Sequence, residues 1–403
     1  MMDSLRYLKT FFLASAAGLL LAALFNVVVD PYASFHWSDI RGFNDQKHLK
    51  RGGGRVNKGG ILSRYSFDTL IFGTSRAELG LNPNSPVLGG AAAFNAAQVS
   101  TNLAEIRIEA LFAAQHQTPS TVIIDLDFLT FTPKDELSSA ADFPQSPFAG
   151  RSLIPILLER LVSWPSLVDC GTVIRNSKRH KRDPFTKFGY YDRDAVESSV
   201  RHREAFTVVM TTFMTGSNGY RGFDYRSERV EQLRTVIERF HAKGAKVVLY
   251  ISPLHARHLE AMWELGLFPA FEQWKRDLTG LVARLRDENP GGAAIQLWDF
   301  FDYNSITTEP VGESMRWYWE SSHYTSATGE LILARMLGAS GGSPSVPADF
   351  GTELTPNTIE SVLANARTRH GVYSRDFPEE LRDVRQLAEA TAGHSSKRPT
   401  SNP

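Results

Sequence analysis

A serine hydroxyl is a poor nucleophile until a neighbouring base takes its proton. Ser75, in Gly73-Thr74-Ser75-Arg76, and His323, in Glu320-Ser321-Ser322-His323, stand where such a pairing is expected. Ser75 follows an apolar run ending at Phe72, and His323 lies on a loop beyond a later run. Glu320, three residues earlier on that loop, is the carboxylate that would hold the imidazole tautomer and stabilise its charged form. Singly, each residue has a plainer explanation. A serine after a strand commonly caps a helix, a histidine can cap or pack, and Glu320 is one of many carboxylates. Jointly, a serine after the first strand and acid-x-x-His after the fifth are hard to reach by accident.

Other reactive residues weigh less. His255 and His258 form H-x-x-H, but no third ligand is adjacent and HExxH is absent, so no metal is expected. Asp125 and Asp127 lie two apart on one run and share a face. A hydrolytic carboxylate pair is conceivable there, although ordering the site or a turn is the plainer job for Asp127. Trp317 and Trp319 precede Glu320. They could shield the site or stack on a sugar, with core packing expected for at least one. Arg76, Asn95 and Asp127, at the ends of the same runs, complete the candidates for oxyanion or substrate contacts. No cofactor is expected.

These residues need elements to hold them. Five runs read as strands: Thr69–Gly73, Ala91–Asn95, Thr121–Asp127, Lys246–Ser252 and Ala294–Asp299. The third and fourth are near-continuously apolar, as parallel strands covered on both faces should be. Helical spacing falls between them, at 101–116, 228–243 and 269–288, and 326–337 closes the pattern. Strand–helix alternation predicts an α/β fold with an open, doubly wound parallel sheet. In such sheets sites gather at the carboxyl ends of the strands, where Ser75, Asn95, Asp127 and His255 fall. About 115 residues separate the third and fourth runs, far more than a crossover needs, so Phe131–Tyr225 is expected to be an insertion. It holds an apolar helical run, Ser152–Val168, and a basic cluster, Lys178–Arg182, read as a solvated loop rather than an anion site. Its Tyr190, Tyr191 and Tyr220 suit a sugar groove or simple packing equally.

The 403-residue chain balances 44 Lys+Arg against 44 Asp+Glu, which argues against a nucleic-acid partner. Its 42% hydrophobic content is enough for a core, and its single cysteine, Cys170, excludes an internal disulfide framework. No GxxxxGK[ST] loop is present. Residues 11–29, FFLASAAGLLLAALFNVVV, carry no charge and as a helix span roughly 28 Å, one hydrocarbon core. Arg6 and Lys9 before it suit a cytoplasmic tail at 1–10, with the main domain outside the inner membrane, in the periplasm. The basic residues between Arg41 and Arg64, opposed by Asp45 alone, pull the other way, but long domains cross regardless of charge. An uncleaved anchor is favoured over a cleaved signal peptide: the apolar region is long and no clear A-x-A site follows. The expected organisation is tail, anchor, a basic juxtamembrane segment at 30–65, the α/β domain at 66–338, then a linker and polar tail at 339–403. Asn357–Arg367 would be one docking helix, and the end from about Thr391 is expected to be disordered.

Gly73-Thr74-Ser75-Arg76, Phe94-Asn95-Ala96-Ala97, the strand Val122–Phe128, Ile251-Ser252-Pro253 and Glu320-x-x-His323 with Gly329 resemble the SGNH/GDSL hydrolase superfamily. The nearest flavour is its membrane-anchored cell-envelope branch, with alginate-type O-acetyltransferase components and DltD-like proteins. Asn26, near the end of the anchor, and Asp30-Pro31-Tyr32 after it are similar to that branch too. The resemblance implies a flavodoxin-like sheet with Ser75 as nucleophile, His323 as base and Glu320 as acid. It also implies an acyl (acetyl) transferase or esterase acting on a cell-envelope polysaccharide, with a membrane-bound acyltransferase as partner. Here Gly-Thr-Ser stands for Gly-Asp-Ser, and Glu for the usual Asp before the histidine. The oxyanion blocks are not recognisable. An inactive module binding glycan or a membrane acyltransferase is the alternative.

Overall fold

The computed structural model describes residues 2–51, 53–132, 140–195, 200–216, 219–338 and 344–392. In chain order the elements are α1 (Met2–Val29), α2 (Gly54–Leu62), β1 (Thr69–Phe72), α3 (Ser75–Gly80), β2 (Ala93–Asn95), α4 (Leu103–His116) and β3 (Thr121–Leu126). Then follow α5 (Leu153–Val162), α6 (Trp164–Lys178), α7 (His202–Thr215), α8 (Arg234–His241), β4 (Lys246–Ile251), α9 (Ala256–Glu264) and α10 (Phe268–Glu288). The chain ends with β5 (Ile295–Asp299), α11 (Ser326–Leu337), β6 (Thr352–Glu353), α12 (Ile359–Asp376) and α13 (Pro378–Ala392). They form two compact units: Met1–Tyr65 with Ala140–Val196, and Ser66–Ser139 with Glu197–Pro403. The expected insertion thus divides, its middle part from Ala140 belonging with the N-terminal residues and its two ends with the sheet.

The second unit is built on one six-stranded sheet of order β2-β1-β3-β4-β5-β6. The first five strands are parallel, and β6 pairs antiparallel with β5 through Trp298 and Asp299. Val122–Leu126 and Val247–Ile251 are buried along their length, as the unbroken apolar runs require. Helices supply the cover. On α8 the turned-in face is Val236, Ile237 and Phe240, each contributing roughly 1.5–3 kcal/mol by leaving water. The chain leaves β1 toward β2 on one side and returns to β3 on the other. The carboxyl ends of β1 and β3 therefore flank the crevice where the strand order reverses.

The first unit gathers α1, α2, α5 and α6. α1 begins well before the uncharged stretch, and Ser4–Val29 is long and apolar enough to cross a membrane. Ser152–Val168, expected as one helical run, is two helices that meet at Ser163. Pro165 sits in the first turn of the second, where its missing N–H costs nothing. Three further differences lie in the second unit. The run at 228–243 starts as a 3₁₀ turn, Ser227–Leu233, before α8. β6 was not expected, because two residues carry no periodic signal. The single docking helix at 357–367 is instead α12 followed by α13. The expected disordered end lies almost wholly outside the described residues.

Candidate active site

Ser75 is placed by a glycine and a buried acid. Gly73, at the end of β1, has φ 150, and a Cβ there would collide with the Asp125 side chain of β3. Only glycine lets the two strand ends approach this closely. Asp125 is fully buried, and its Oδ2 accepts from the Thr74 amide at 3.2 Å and the Thr74 hydroxyl at 3.0 Å. Burial pushes the Asp125 carboxyl above its ordinary range. The strand end is thus clamped, and Ser75 opens α3 as its first residue. Thr74, not Ser75, is the N-cap, accepting weakly from the Arg76 amide at 3.4 Å. The Ser75 amide, in the first turn, has no intrahelical acceptor.

His323 is held by a tight hairpin. Tyr318 and Tyr324 pair antiparallel, the Trp319 amide donates to the His323 carbonyl at 2.9 Å, and the Thr325 amide donates to the Trp317 carbonyl at 2.9 Å. Glu309 fixes the base of this hairpin by accepting from the Arg316 and Trp317 amides. Tyr318 and Tyr324 are buried, and the Tyr324 hydroxyl meets that of Tyr250 on β4 at 3.1 Å. The residues between the tyrosines, Trp319 to His323, form the tip.

At that tip the three expected residues meet. The Ser75 hydroxyl lies 2.8 Å from His323 Nε2, within general-base reach. His323 Nδ1 is hydrogen-bonded to Glu320 Oε1, and Glu320 Oε2 accepts from the Ser322 amide at 2.8 Å. A carboxylate only accepts, so Nδ1 carries the hydrogen and, in the neutral ring, Nε2 is left as acceptor for the serine O–H. Glu320 is buried while His323 is partly exposed, so the acid is shielded and the base faces outward.

Arg76 and Asp127 stand behind this relay. The Arg76 guanidinium, almost fully buried, pairs with Asp127 Oδ2 and donates to the Ser322 carbonyl at 3.1 Å and the Ser322 hydroxyl at 3.2 Å. Asp127 also caps the turn at Phe128–Thr130 through the Leu129 amide, which matches its plainer sequence reading. The pair ties the end of β3 to the acid–histidine loop. Asn95 is not brought to the serine as a donor. Its Nδ2 donates to the Ala77 and Leu81 carbonyls at 2.7 and 2.9 Å, and its Oδ1 accepts from the Ala97 amide at 3.0 Å. Both amide hydrogens are therefore spent on closing the end of α3.

Two histidines that the spacing set aside as a metal pair have other partners. His255 donates from Nε2 to the Glu309 carbonyl at 2.7 Å and accepts at Nδ1 from the Arg257 amide. Burial pushes it down to about 3. His258, also held well below its ordinary value by burial, lies between the Tyr220 hydroxyl at 2.7 Å and the Ser321 hydroxyl at 3.1 Å. Ser321 sits beside Glu320, so His258 supports the loop from below. Its sequence signal was the H-x-x-H spacing, which points to a shared helical face but not to what faces it. No protein-family model matches the chain, and no curated protein matches it.

Proposed function

We propose that the chain is a membrane-anchored, SGNH-like serine acyltransferase or esterase that acts on a cell-envelope polysaccharide. The observation that carries this reading is the Ser75–His323–Glu320 relay at the carboxyl edge of the sheet. The strand order 2-1-3-4-5 supports it, because that is the flavodoxin-type order the resemblance implies. Ser75 Oγ attacks the acyl carbon while its proton passes to His323 Nε2. Glu320 holds the imidazolium without taking the proton. The Ser75 amide is a donor to the developing oxyanion. Collapse breaks the bond to the leaving oxygen, which takes the proton from His323 and leaves an acyl-serine. A sugar hydroxyl, or water, then attacks that ester and gives its proton to His323, and the released serine takes it back.

A second reading rests on Asn95. With both of its amide hydrogens spent, Asn95 does not serve as the side-chain donor that the family's oxyanion blocks would supply. A non-catalytic module that binds glycan or a membrane acyltransferase is consistent with that loss. The two readings separate on turnover of an acetylated chromogenic ester by the full chain in detergent. The enzyme reading expects turnover that disappears in Ser75→Ala. Glycan binding that is equal in wild type and Ser75→Ala, with no turnover in either, supports the module.

A further inference from the structure

The elbow between α5 and α6 presents apolar side chains that stay exposed among the described residues. Ile154, Leu158 and Val162 recur every four residues and form one stripe along α5. Trp164, at the elbow, is 73% exposed, and Val168 continues the apolar surface on α6. A patch of this kind marks an interaction surface.

Its place in the unit says what covers it. Asn26, near the end of α1, donates from Nδ2 to the Arg160 and Leu161 carbonyls at 3.1 and 2.9 Å. These belong to the last turn of α5, whose carbonyls lack intrahelical partners. Cys170 Sγ lies 3.4 Å from Asn26 Oδ1, and Val29, Cys170 and Val173 form one buried apolar cluster. The far end of α6 lies past the exit of α1, where the Gln46 amide donates to the Ser177 hydroxyl at 3.1 Å and Lys47 donates to the Asp30 carbonyl at 2.9 Å, so α6 runs alongside α1 in the same direction. Trp164, at its start, lies roughly 9 Å back from Cys170, toward the apolar length of α1. The exposed leucines of α1, Leu20 and Leu24 among them, are on that same length.

Several polar groups at the elbow are satisfied internally. The Ser163 hydroxyl meets that of Ser166 at 2.7 Å and accepts from the Ser166 amide. The Ser163 amide donates to the Glu159 carbonyl at 2.9 Å, and Pro165 has no N–H to satisfy. The Arg160 side chain turns inward, to the Ser34 hydroxyl and over the Tyr32 ring. Backbone satisfied in this way is what a lipid environment demands. Glu159 is the charged residue that α5 leaves exposed.

We propose that the α5–α6 elbow is a second membrane-contacting element. It seats Ile154, Leu158, Val162 and Trp164 among the acyl chains of the leaflet at the carboxyl end of α1, with Trp164 as interfacial anchor. The proposal rests on α1 crossing the bilayer. The test uses the full chain in phosphatidylcholine vesicles, in a Cys170→Ser background. Single cysteines at Leu20, Leu158, Trp164 and Lys178 carry an environment-sensitive fluorophore, and lipids bearing a spin label on the acyl chain act as quencher. The expected result is strong quenching and blue-shifted emission at positions 20, 158 and 164, with position 178, at the far end of α6, unquenched. Quenching at 20 but not at 158 and 164 overturns the proposal and leaves the anchor intact. Blue-shifted but unquenched labels at 158 and 164 mean that protein, not lipid, covers the stripe, which also overturns it. No quenching at position 20 removes the anchor and the proposal together.

Discussion

Glu320 spends its two oxygens differently, one on the imidazole and one on its own loop through the Ser322 amide. Glu320→Gln keeps the second contact but can present its NH₂ to Nδ1, favouring the wrong tautomer. Turnover should fall by roughly 10²–10⁴-fold with the thermal midpoint little changed. Glu320→Asp should keep part of the rate, since it restores a carboxylate with a shorter reach. Turnover that depends on Ser75 yet is unchanged in Glu320→Gln would take Glu320 out of the mechanism. Asp125 makes a different prediction, about stability. Its folded state favours the protonated form, so the contribution it makes is full below the ordinary carboxylate value of 3.8 and is lost as pH rises through the higher folded value. Asp125→Asn can still accept from Thr74 and has no charge to bury. Urea midpoints should therefore show the variant gaining on wild type over the interval above pH 3.8, the gain levelling off once Asp125 is ionised in the folded state. A gap that narrows over that interval contradicts the assignment. The sequence showed these acids and histidines as residue types at strand ends. It could not show that Asp127 would be matched by Arg76, because the partners and the direction of each side chain are settled only by packing.

At the scale of elements, the distance from Ser75 to His323 is set by how closely α3 and α11 approach. A Cβ on Gly80 would strike the Tyr324 ring, and one on Gly329 would strike the Gly80 carbonyl. Ser75 opens α3, and His323 lies just before α11. Gly329→Ala should therefore push the two helices apart, costing about 1–3 kcal/mol as overpacking does, and should reduce turnover beyond what the lost stability explains. Comparing turnover well below both melting transitions separates the two effects, and a stable but fully active variant would contradict the account. The link between Arg76 and Asp127 is the second spacer. Removing one partner of a buried pair costs about 3–5 kcal/mol, so Arg76→Ala should lose stability on that order in urea unfolding. Turnover should fall too, because the Ser322 carbonyl and hydroxyl lose their donor. The five parallel strands were legible from unbroken apolar runs, and α11 from its period of 3.6. The hairpin of Tyr318 and Tyr324, a bridge between two aromatic residues in a loop, has no such period. The two helices after the linker were under-read for a related reason: their polar outer faces dilute the apolar stripe.

At the scale of the whole molecule, Ser75 and His323 are 248 residues apart in the chain, so the site exists only when the sheet is complete. The N-terminal helix was legible because an uncharged stretch of membrane length needs no tertiary context. What gathers beside it was not, since α5 and α6 join the N-terminal residues across a long stretch of intervening sequence. The proposed orientation puts the sheet-bearing unit outside the cytoplasm. A reporter fused after Pro403 that matures only in the periplasm should be active, and activity of a cytoplasm-only reporter would reverse the orientation. The central claim, that Ser75 is an activated nucleophile, is tested most directly by covalent capture. The full-length chain in detergent is treated with a fluorophosphonate and analysed by intact mass and peptide mapping. The account predicts a single phosphonyl adduct on Ser75, lost in Ser75→Ala and strongly slowed in His323→Gln. An unmodified folded protein, or an adduct that persists at the same rate in Ser75→Ala, would contradict it.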